Sequence, residues 1–392
     1  MIEGSLEEFA KNPVVRQVLD RIPGMKDGFI QEIVGVAEIA APTFFEGERA
    51  QYISRRFREE GLSGITLDEA GNVYGRWPGK GDEKETLLVV AHLDTVFPLG
   101  TDVTVREEAG RLHGPGVGDD SAGLAALILL ARLLKQHRIA TRKTVILAGS
   151  VGEEGLGDLK GMKALMDRFR GQVQTVIGVE PGPLGRIVNR GVGSRRFKVT
   201  CRTEGGHSWG AFGKPSAIHS LGRMIAGIAG IKVPQDPRTT FNVGLISGGT
   251  SVNTIAPAAE MIIDLRSVDQ SELLRLEAQV KELVEGIAGR DRVDVSFQLL
   301  GDRPAGGIGD EHPLVKTIEA IHGYLGIKSV RQASSTDANV PFSLGIPAVT
   351  LGLTQGANGH RTDEYIDTAP LTLGLQQLFL ATAAVAEVMG EG

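Results

Sequence analysis

Two histidines and a set of carboxylates recur in this chain at one kind of place, at or close behind a short apolar run. Leu87 to Ala91 is such a run, and His92 and Asp94 follow it directly. A continuous apolar stretch of this length reads as a buried parallel strand. In an open α/β sheet, chemistry collects outside the carboxyl ends of the strands. A His with an Asp two residues on suits a metal-binding imidazole oriented by a carboxylate. Lys143 to Ala148 leads into Val151-Gly-Glu153-Glu154-Gly155, and Thr175 to Val179 leads into Glu180. Adjacent carboxylates at a strand end repel unless a cation or a proton separates them. Glu153 and Glu154 therefore suit a metal ligand beside a general base. Asp119 and Asp120 follow Gly114, Gly116 and Gly118 and open the apolar helix Leu124 to Leu134. His360 sits in the loop Gly356-Ala-Asn-Gly-His360, after the run Ala348 to Leu351. A turn histidine, a pair of helix caps or a solvated acidic loop would account for any one of these. Their repetition is what points to a single site. Histidines and carboxylates without cysteine make a donor set suited to zinc, or to cobalt or manganese.

Other chemistries fit less well. The glycines before Asp119 suggest a phosphate loop, but acidic residues at a helix start repel phosphate, and neither a GxGxxG nor a Walker spacing is present. The chain of 392 residues, with 41% hydrophobic and 23% charged residues, is an ordinary globular composition with room for two cores. Its 53 glycines imply many tight turns. A net charge of -6, with no run of Lys or Arg beyond two, argues against a nucleic-acid or anionic-membrane surface. The single Cys201 excludes an intrachain disulfide and reads as a small buried hydrophobe. The acidic start of the chain lacks signal-peptide features, and the helix Leu124 to Leu134 carries Arg132 and is too short to span a bilayer. A cytoplasmic protein is expected.

The elements that must position these residues follow from periodicity. Helices are expected over 24–40 and 47–60, short strands near 65–67 and 72–76, then the strands ending at His92, near Ser150 and at Glu180. From Gly191 the pattern becomes strand 196–202, helix 215–228, strands 241–246 and 260–266, helix 271–287 and strand 292–300. That order is a ferredoxin-like split βαβ, inserted as a second domain. The expected fold is therefore α/β, a mixed, mostly parallel sheet flanked by helices, with an inserted ferredoxin-like α+β domain. Its boundaries are 1–190 and 304–392 for the first domain and 191–303 for the insertion.

In this order the motifs Ala91-His-Leu-Asp-Thr95, Gly118-Asp-Asp-Ser-Ala-Gly123, Gly152-Glu-Glu-Gly155, Val179-Glu-Pro181, Gly205-Gly-His-Ser208 and Asn358-Gly-His360 resemble the M20 family of metallopeptidases and amidohydrolases over nearly the whole chain. That family includes acetylornithine deacetylase, succinyl-diaminopimelate desuccinylase, glutamate carboxypeptidase and tripeptide aminopeptidases. The resemblance implies a zinc-peptidase-like catalytic domain with a dimerisation and lid domain. It implies that His92 and Glu180 bind one divalent ion, that Glu154 and His360 bind a second, and that Asp119 bridges them. Zinc is the expected metal, with cobalt or manganese as alternatives. By the same resemblance Asp94 orients His92, and Glu153 is the general base. His207 reaches from the inserted domain into a partner subunit's site to stabilise the oxyanion, which implies a homodimer. Asn253 and Arg266 match positions that grip the substrate, commonly at its carboxylate, and Asp337 matches a position in the site wall. The expected reaction is attack of metal-activated water on an amide of a small peptide or N-acyl amino acid, with Glu153 passing the proton to the leaving nitrogen.

Rival readings remain at this point. Gly206-His-Ser208-Trp-Gly210 fits the GxSxG nucleophile elbow of serine hydrolases, although Gly210, Gly213 and Pro215 oppose the helix that an elbow needs after Ser208. A metal-dependent binding protein without turnover is a second rival, opposed by the fact that every ligand and base position is filled. Within the family, Glu180 favours a carboxypeptidase or deacylase, because aminopeptidases tend to carry Asp there. The aminopeptidase alternative is supported by the likeness of the Gly118 to Gly123 segment. Trp209, Phe212 and Lys214 depart from the commoner small residues after His207. The remaining histidines, His113, His137, His219, His312 and His322, read as surface or packing residues.

Overall fold

The structure is a computed structural model that describes residues 6–82 and 84–389, so the chain start used above, Met1 to Ser5, lies outside the described residues. The chain divides into two compact units, Met1–Arg190 with Gly307–Gly392, and Gly191–Gly306. The second unit closes a few residues beyond Arg303, where its last long strand, Asp294–Arg303, ends.

In the first unit the strands are β1 (Ser63–Leu67), β2 (Val73–Trp77), β3 (Thr86–His92), β4 (Thr144–Ser150), β5 (Val173–Glu180), β6 (Arg186–Gly191) and β7 (Ala348–Gly352). They form the body of a nine-stranded sheet in the order β1-β2-β4-β3-β5-β7-β6. β3 pairs in parallel with β4 and β5, and β5 pairs in parallel with β7. The strands β1, β2 and β6 join antiparallel. The unbroken apolar run of β3 has a two-sided cause. Leu87, Val89 and Ala91 enter one core with the helices Gly123–Gln136 and Leu371–Ala386, whereas Leu88 and Val90 enter another with Met162, Leu165 and Met166 of the helix Lys160–Arg168. A strand covered on both faces has no polar side to show.

The parallel register brings the strand ends level: His92 lies opposite Ser150, and Glu180 lies opposite Gly352. A small antiparallel sheet adds a link that no periodicity in the sequence marks. Its strands, Arg106–Glu108, Arg111–His113, Gly356–Ala357 and Tyr365–Asp367, are two or three residues long, too short to show alternation. Pairing of Arg111–His113 with Tyr365–Asp367 draws the turn that carries Asp119 towards the loop that carries His360.

The second unit is a four-stranded antiparallel sheet in the order Thr239–Gly248, Ala258–Ser267, Gly193–Arg202, Asp294–Arg303. The helices Ala217–Ala229 and Gln270–Asp291 pack against it through a core that includes the buried Cys201. Asp269 caps the second helix, its Oδ1 accepting from the Glu272 N–H at 2.9 Å. Among the described residues no helix is long and apolar enough to cross a membrane.

Near the end of the chain, Glu387 accepts from Arg142 and lies 3.2 Å from the Lys143 ammonium. These cations, Arg142 first, hold its carboxyl down at about 2 against an ordinary 4.5. A carboxyl depressed by folding contributes stability that is present above about 4.5 and is lost as the pH falls through about 2. Wild type is therefore expected to exceed Glu387→Gln in thermal stability at neutral pH, with the difference vanishing near pH 2. Parallel stability curves for the two proteins across that range would count against the ion cluster.

Candidate metal centre

At the level strand ends the first unit gathers its titratable side chains. His92 ends β3 and is buried, and its Nε2 lies 2.9 Å from Asp119 Oδ1. The other Asp119 oxygen, Oδ2, lies 3.1 Å from His360 Nε2, which is 2.9 Å from Glu154 Oε1. One carboxylate thus presents a separate oxygen to each of two imidazoles. Ligand atoms of His92, Asp119 and Glu154 all lie within 4.8 Å of one another, close enough to share a cation. Glu180, at the end of β5, has its carboxyl pushed well above the ordinary range by burial and then by the nearby Glu153 carboxylate. The His92 ring is the converse case. Burial favours its neutral form, but the Asp119 and Asp94 carboxylates outweigh burial and raise it well above the ordinary histidine range. His360 is raised to about 10 by Asp119 and Glu154.

The tautomer of a neutral His92 follows from its second nitrogen. Nδ1 lies 3.0 Å from the Asp94 backbone carbonyl, which can only accept, so Nδ1 keeps its proton and Nε2 would be free to bind a cation in place of the proton it shares with Asp119. The Asp94 carboxylate is more distant from the ring, 3.7 Å from Nδ1. It is engaged elsewhere: Oδ1 accepts from the Glu153 N–H at 2.9 Å, and Oδ2 accepts from the Glu154 N–H at 2.9 Å and the Thr43 hydroxyl at 2.8 Å. Asp94 therefore holds the Gly-Glu-Glu-Gly turn as well as standing behind His92. The Asp119-Asp120 pair also divides its work. Asp119 enters the cluster, whereas Asp120 is fully buried and accepts from the backbone N–H of His92 at 3.1 Å and of Gly123 at 3.2 Å, tying β3 to the following helix.

Sequence reasoning assigned no role to three residues of this region. Glu364 accepts from three backbone N–H groups of the Asp119 turn. Thr43 donates to Asp94. Arg49 is buried and donates to the carbonyls of Leu93 at 3.0 Å and Ile39 at 2.6 Å. Burial pushes the Arg49 guanidinium down to about 10, although Asp94 and Asp120 draw it up. An acid four residues after His360 was the one signal in the sequence that bore on Glu364. Beside the cluster opens a cavity of about 210 Å³, lined by Gly118, Ala122, Glu180, Leu353, Gly359 and Ile366 among others.

Asp337 is buried in the same unit and accepts from the Ser150 hydroxyl at the end of β4. The other singled-out residues belong to the second unit. His207 and Asn253 come together on a two-stranded ribbon, in which His207 pairs with Thr254 and the Ser208 N–H donates to the Asn253 carbonyl at 2.9 Å. His207 Nδ1 accepts from the N–H groups of Trp209 at 3.2 Å and Gly210 at 3.3 Å, which places the proton of a neutral ring on Nε2. Trp209 and Phe212 are 87% and 91% exposed, so the turn after His207 presents two aromatic faces outward. Arg266 is half-exposed on the sheet, its Nε donating to Asp264 at 2.7 Å. No helix follows Ser208 directly: the chain turns, and the next helix begins at Ala217, so the nucleophile elbow is absent. His322 is a packing residue, held by Ser329 and Gln377, and His312 caps a helix.

The family model for peptidase family M20/M25/M40 matches residues 88–388. Acetylornithine deacetylase of Myxococcus xanthus is 27% identical over 78% of this chain and 82% of that protein. Carboxypeptidase G2 of Pseudomonas sp. (strain RS-16) is 23% identical over 96% of this chain and 90% of that protein. The crystal structure of aminopeptidase PepT from Bacillus cereus superposes with a TM-score of 0.78 at 25% identity, covering 92% of this chain and 99% of that one.

The Asp94 contacts generate a test. Asp94→Asn keeps the shape but turns an amide donor towards one of the two backbone N–H groups, leaving a buried donor unpaired. The expected cost to the metal-free protein is about 1–3 kcal/mol, read as a lower urea midpoint. An unchanged midpoint would mean that the carboxylate does not hold the Glu153-Glu154 turn.

Proposed function

Because the chain belongs to peptidase family M20/M25/M40, we propose that it hydrolyses an amide bond of a small peptide or N-acyl amino acid at a dinuclear metal centre. The observation that carries this reading is Asp119, whose two oxygens face His92 and His360 separately. A bridging carboxylate between two imidazole donors suits a pair of cations, and the surrounding carboxylates Glu154 and Glu180 supply the remaining anionic ligands. In this reading His92 and Glu180 hold one ion, Glu154 and His360 hold the other, and zinc is favoured by the borderline donor set. Two such ions supply Lewis acidity for the amide carbonyl and a lowered pKa for water. Glu153, in the turn held by Asp94, takes the proton of the attacking water and delivers it to the leaving nitrogen.

The second unit supplies the rest of the proposal. With Nδ1 accepting from two backbone N–H groups, His207 has Nε2–H as its donor, a group able to stabilise an oxyanion in a partner subunit's site. A homodimer through this unit is supported by its edge strand Thr239–Gly248, which exposes Leu245 and Ile246. An apolar strand at a sheet edge invites pairing with a second copy. Asn253, beside His207, and Arg266 would grip the substrate carboxylate, and Asp337 would support the site wall through Ser150.

Glu153→Gln is expected to retain metal and fold and to lose turnover by about 10²–10⁴-fold. His207→Ala should also lose turnover and keep its metal. When the two variants are co-expressed, hybrid dimers should regain activity, since one site then has both groups intact. Full turnover by Glu153→Gln removes that residue from the base role, and absence of complementation places His207 in its own subunit's site or outside the chemistry.

A carboxypeptidase or deacylase activity is favoured by Glu180 and by the likeness to acetylornithine deacetylase and carboxypeptidase G2. An aminopeptidase activity is the second reading, favoured by the structural likeness to PepT. Matched dipeptides blocked at one end or the other separate them by product mass. Cleavage of N-blocked substrates alone supports the carboxylate-gripping reading, and cleavage of free-amine substrates alone selects the aminopeptidase.

A further inference from the structure

We propose that Glu364 is a positioning residue that fixes the bridging Asp119 from behind, so that one loop, His360 to Glu364, sets two of the metal ligands at once. The inference rests on the dinuclear reading of the Asp119 cluster and adds a residue to it. Glu364 is buried at 2% exposure, and its carboxylate accepts from three backbone N–H groups: Gly116 to Oε2 at 2.9 Å, Gly118 to Oε1 at 2.8 Å and Asp119 itself to Oε1 at 2.9 Å. The Glu364 N–H donates to the Arg361 carbonyl at 3.1 Å, and its own carbonyl accepts from the Gly114 N–H at 3.0 Å, so backbone and side chain both grip the same turn.

The carboxylate explains one glycine of that turn, and the turn's own backbone explains another. A Cβ at Gly118 would stand 2.8 Å from Glu364 Oε1, and Gly116 has φ 70°, a left-handed conformation that glycine adopts without strain. The segment before Asp119 is thus shaped as a cradle of N–H groups for an acid, the acid is in this chain, and it arrives from the far end of the sequence. The consequence for the site is geometric. Asp119 has non-helical backbone angles between the cradle and the following helix, and its carboxylate must present one oxygen to His92 and one to His360. His360 is four residues before Glu364 on the same loop. Displacing the loop therefore moves His360 and releases the Asp119 backbone together. Outer partners that orient ligands in this manner commonly control metal affinity by 10–100-fold.

The test uses the full-length metal-free protein and Co²⁺ as the probe, comparing wild type, Glu364→Ala and Glu364→Gln. Calorimetric affinity, the visible absorption of bound Co²⁺ and the metal-free thermal midpoint are measured for each. Glu364→Ala is expected to bind Co²⁺ about 10–100-fold more weakly, with an altered visible band. Glu364→Gln should lose less, because its oxygen still accepts from Gly118 and Asp119 while its amide faces the Gly116 N–H. If Glu364→Ala does not fold, the affinity and band of Glu364→Gln decide alone. Wild-type affinity and an unaltered band in the folded variants, with or without a lower thermal midpoint, would overturn the proposal and leave the metal centre standing. Failure of wild type itself to bind Co²⁺ would overturn both.

Discussion

The Asp119 carboxylate shared between two imidazoles is the constraint on which the first unit depends. It sits on a glycine-rich turn, and its partners come from a buried central strand and from a loop near the chain's end. Around it the fold collects Asp120, Glu153, Glu154, Glu180 and Glu364 in a region largely closed to water. Like charges in low dielectric repel strongly, and the consequence is visible in the groups themselves. Asp120 and Glu180 are driven well above the ordinary carboxyl range, and Glu364 to about 7, each chiefly by burial. His92 and His360 are driven upward by the same carboxylates. The arrangement calls for positive charge. Protons on His92 and His360 answer it at the two Asp119 oxygens, Arg49 answers it from behind, and a pair of divalent ions would answer it with more charge at the same oxygens.

The cost of holding such a cluster falls on backbone groups rather than on side-chain pairs. Asp94 fastens the Glu153-Glu154 turn by two N–H groups, Asp120 fastens the end of β3, and Glu364 fastens the turn of Asp119. Carboxylates that accept several buried N–H donors are rigid anchors, since releasing one strands both acceptor and donors. Two acids, Asp94 and Glu364, are thus used to position other acids, and a third, Asp120, positions His92. Such anchors would keep the candidate ligands in place before any ion arrives.

What the sequence made legible was whatever repeats at short range. The apolar runs of β3, β4, β5 and β7 mark parallel strands because both of their faces are covered, and their carboxyl ends then had to converge. His92, Glu153, Glu154, Glu180 and His360 each sit at or just past such an end, which is why they were found. The ferredoxin-like order of the insertion was legible for the same reason, from alternating strands and amphipathic helices. Glu364, Thr43 and Arg49 were not, because each acts on a backbone or carboxylate group distant in sequence, from a loop or helix face without a periodic signature. The role of Asp94 was half legible. Its spacing from His92 pointed to the imidazole, but its main hydrogen bonds go to a turn nearly sixty residues on.

The insertion leaves the first unit at one place only. Asn189 and Ile308 flank it, and they face each other through Ile308 N–H to Asn189 carbonyl at 2.9 Å and Asn189 Nδ2 to Ile308 carbonyl at 3.0 Å. The chain departs and returns side by side, so the parallel sheet keeps its strand order whatever the insertion carries. The insertion has its own core and its own exposed equipment: the His207–Asn253 ribbon, the aromatic turn of Trp209 and Phe212, and the apolar edge strand. The proposed metal ligands and general base therefore lie on one unit, and the candidate groups for oxyanion and substrate carboxylate lie on the other. A change in substrate preference can then arise in loops of the second unit without disturbing the charge balance around Asp119. This separation suits a chain similar to proteins named a deacetylase, a carboxypeptidase and an aminopeptidase.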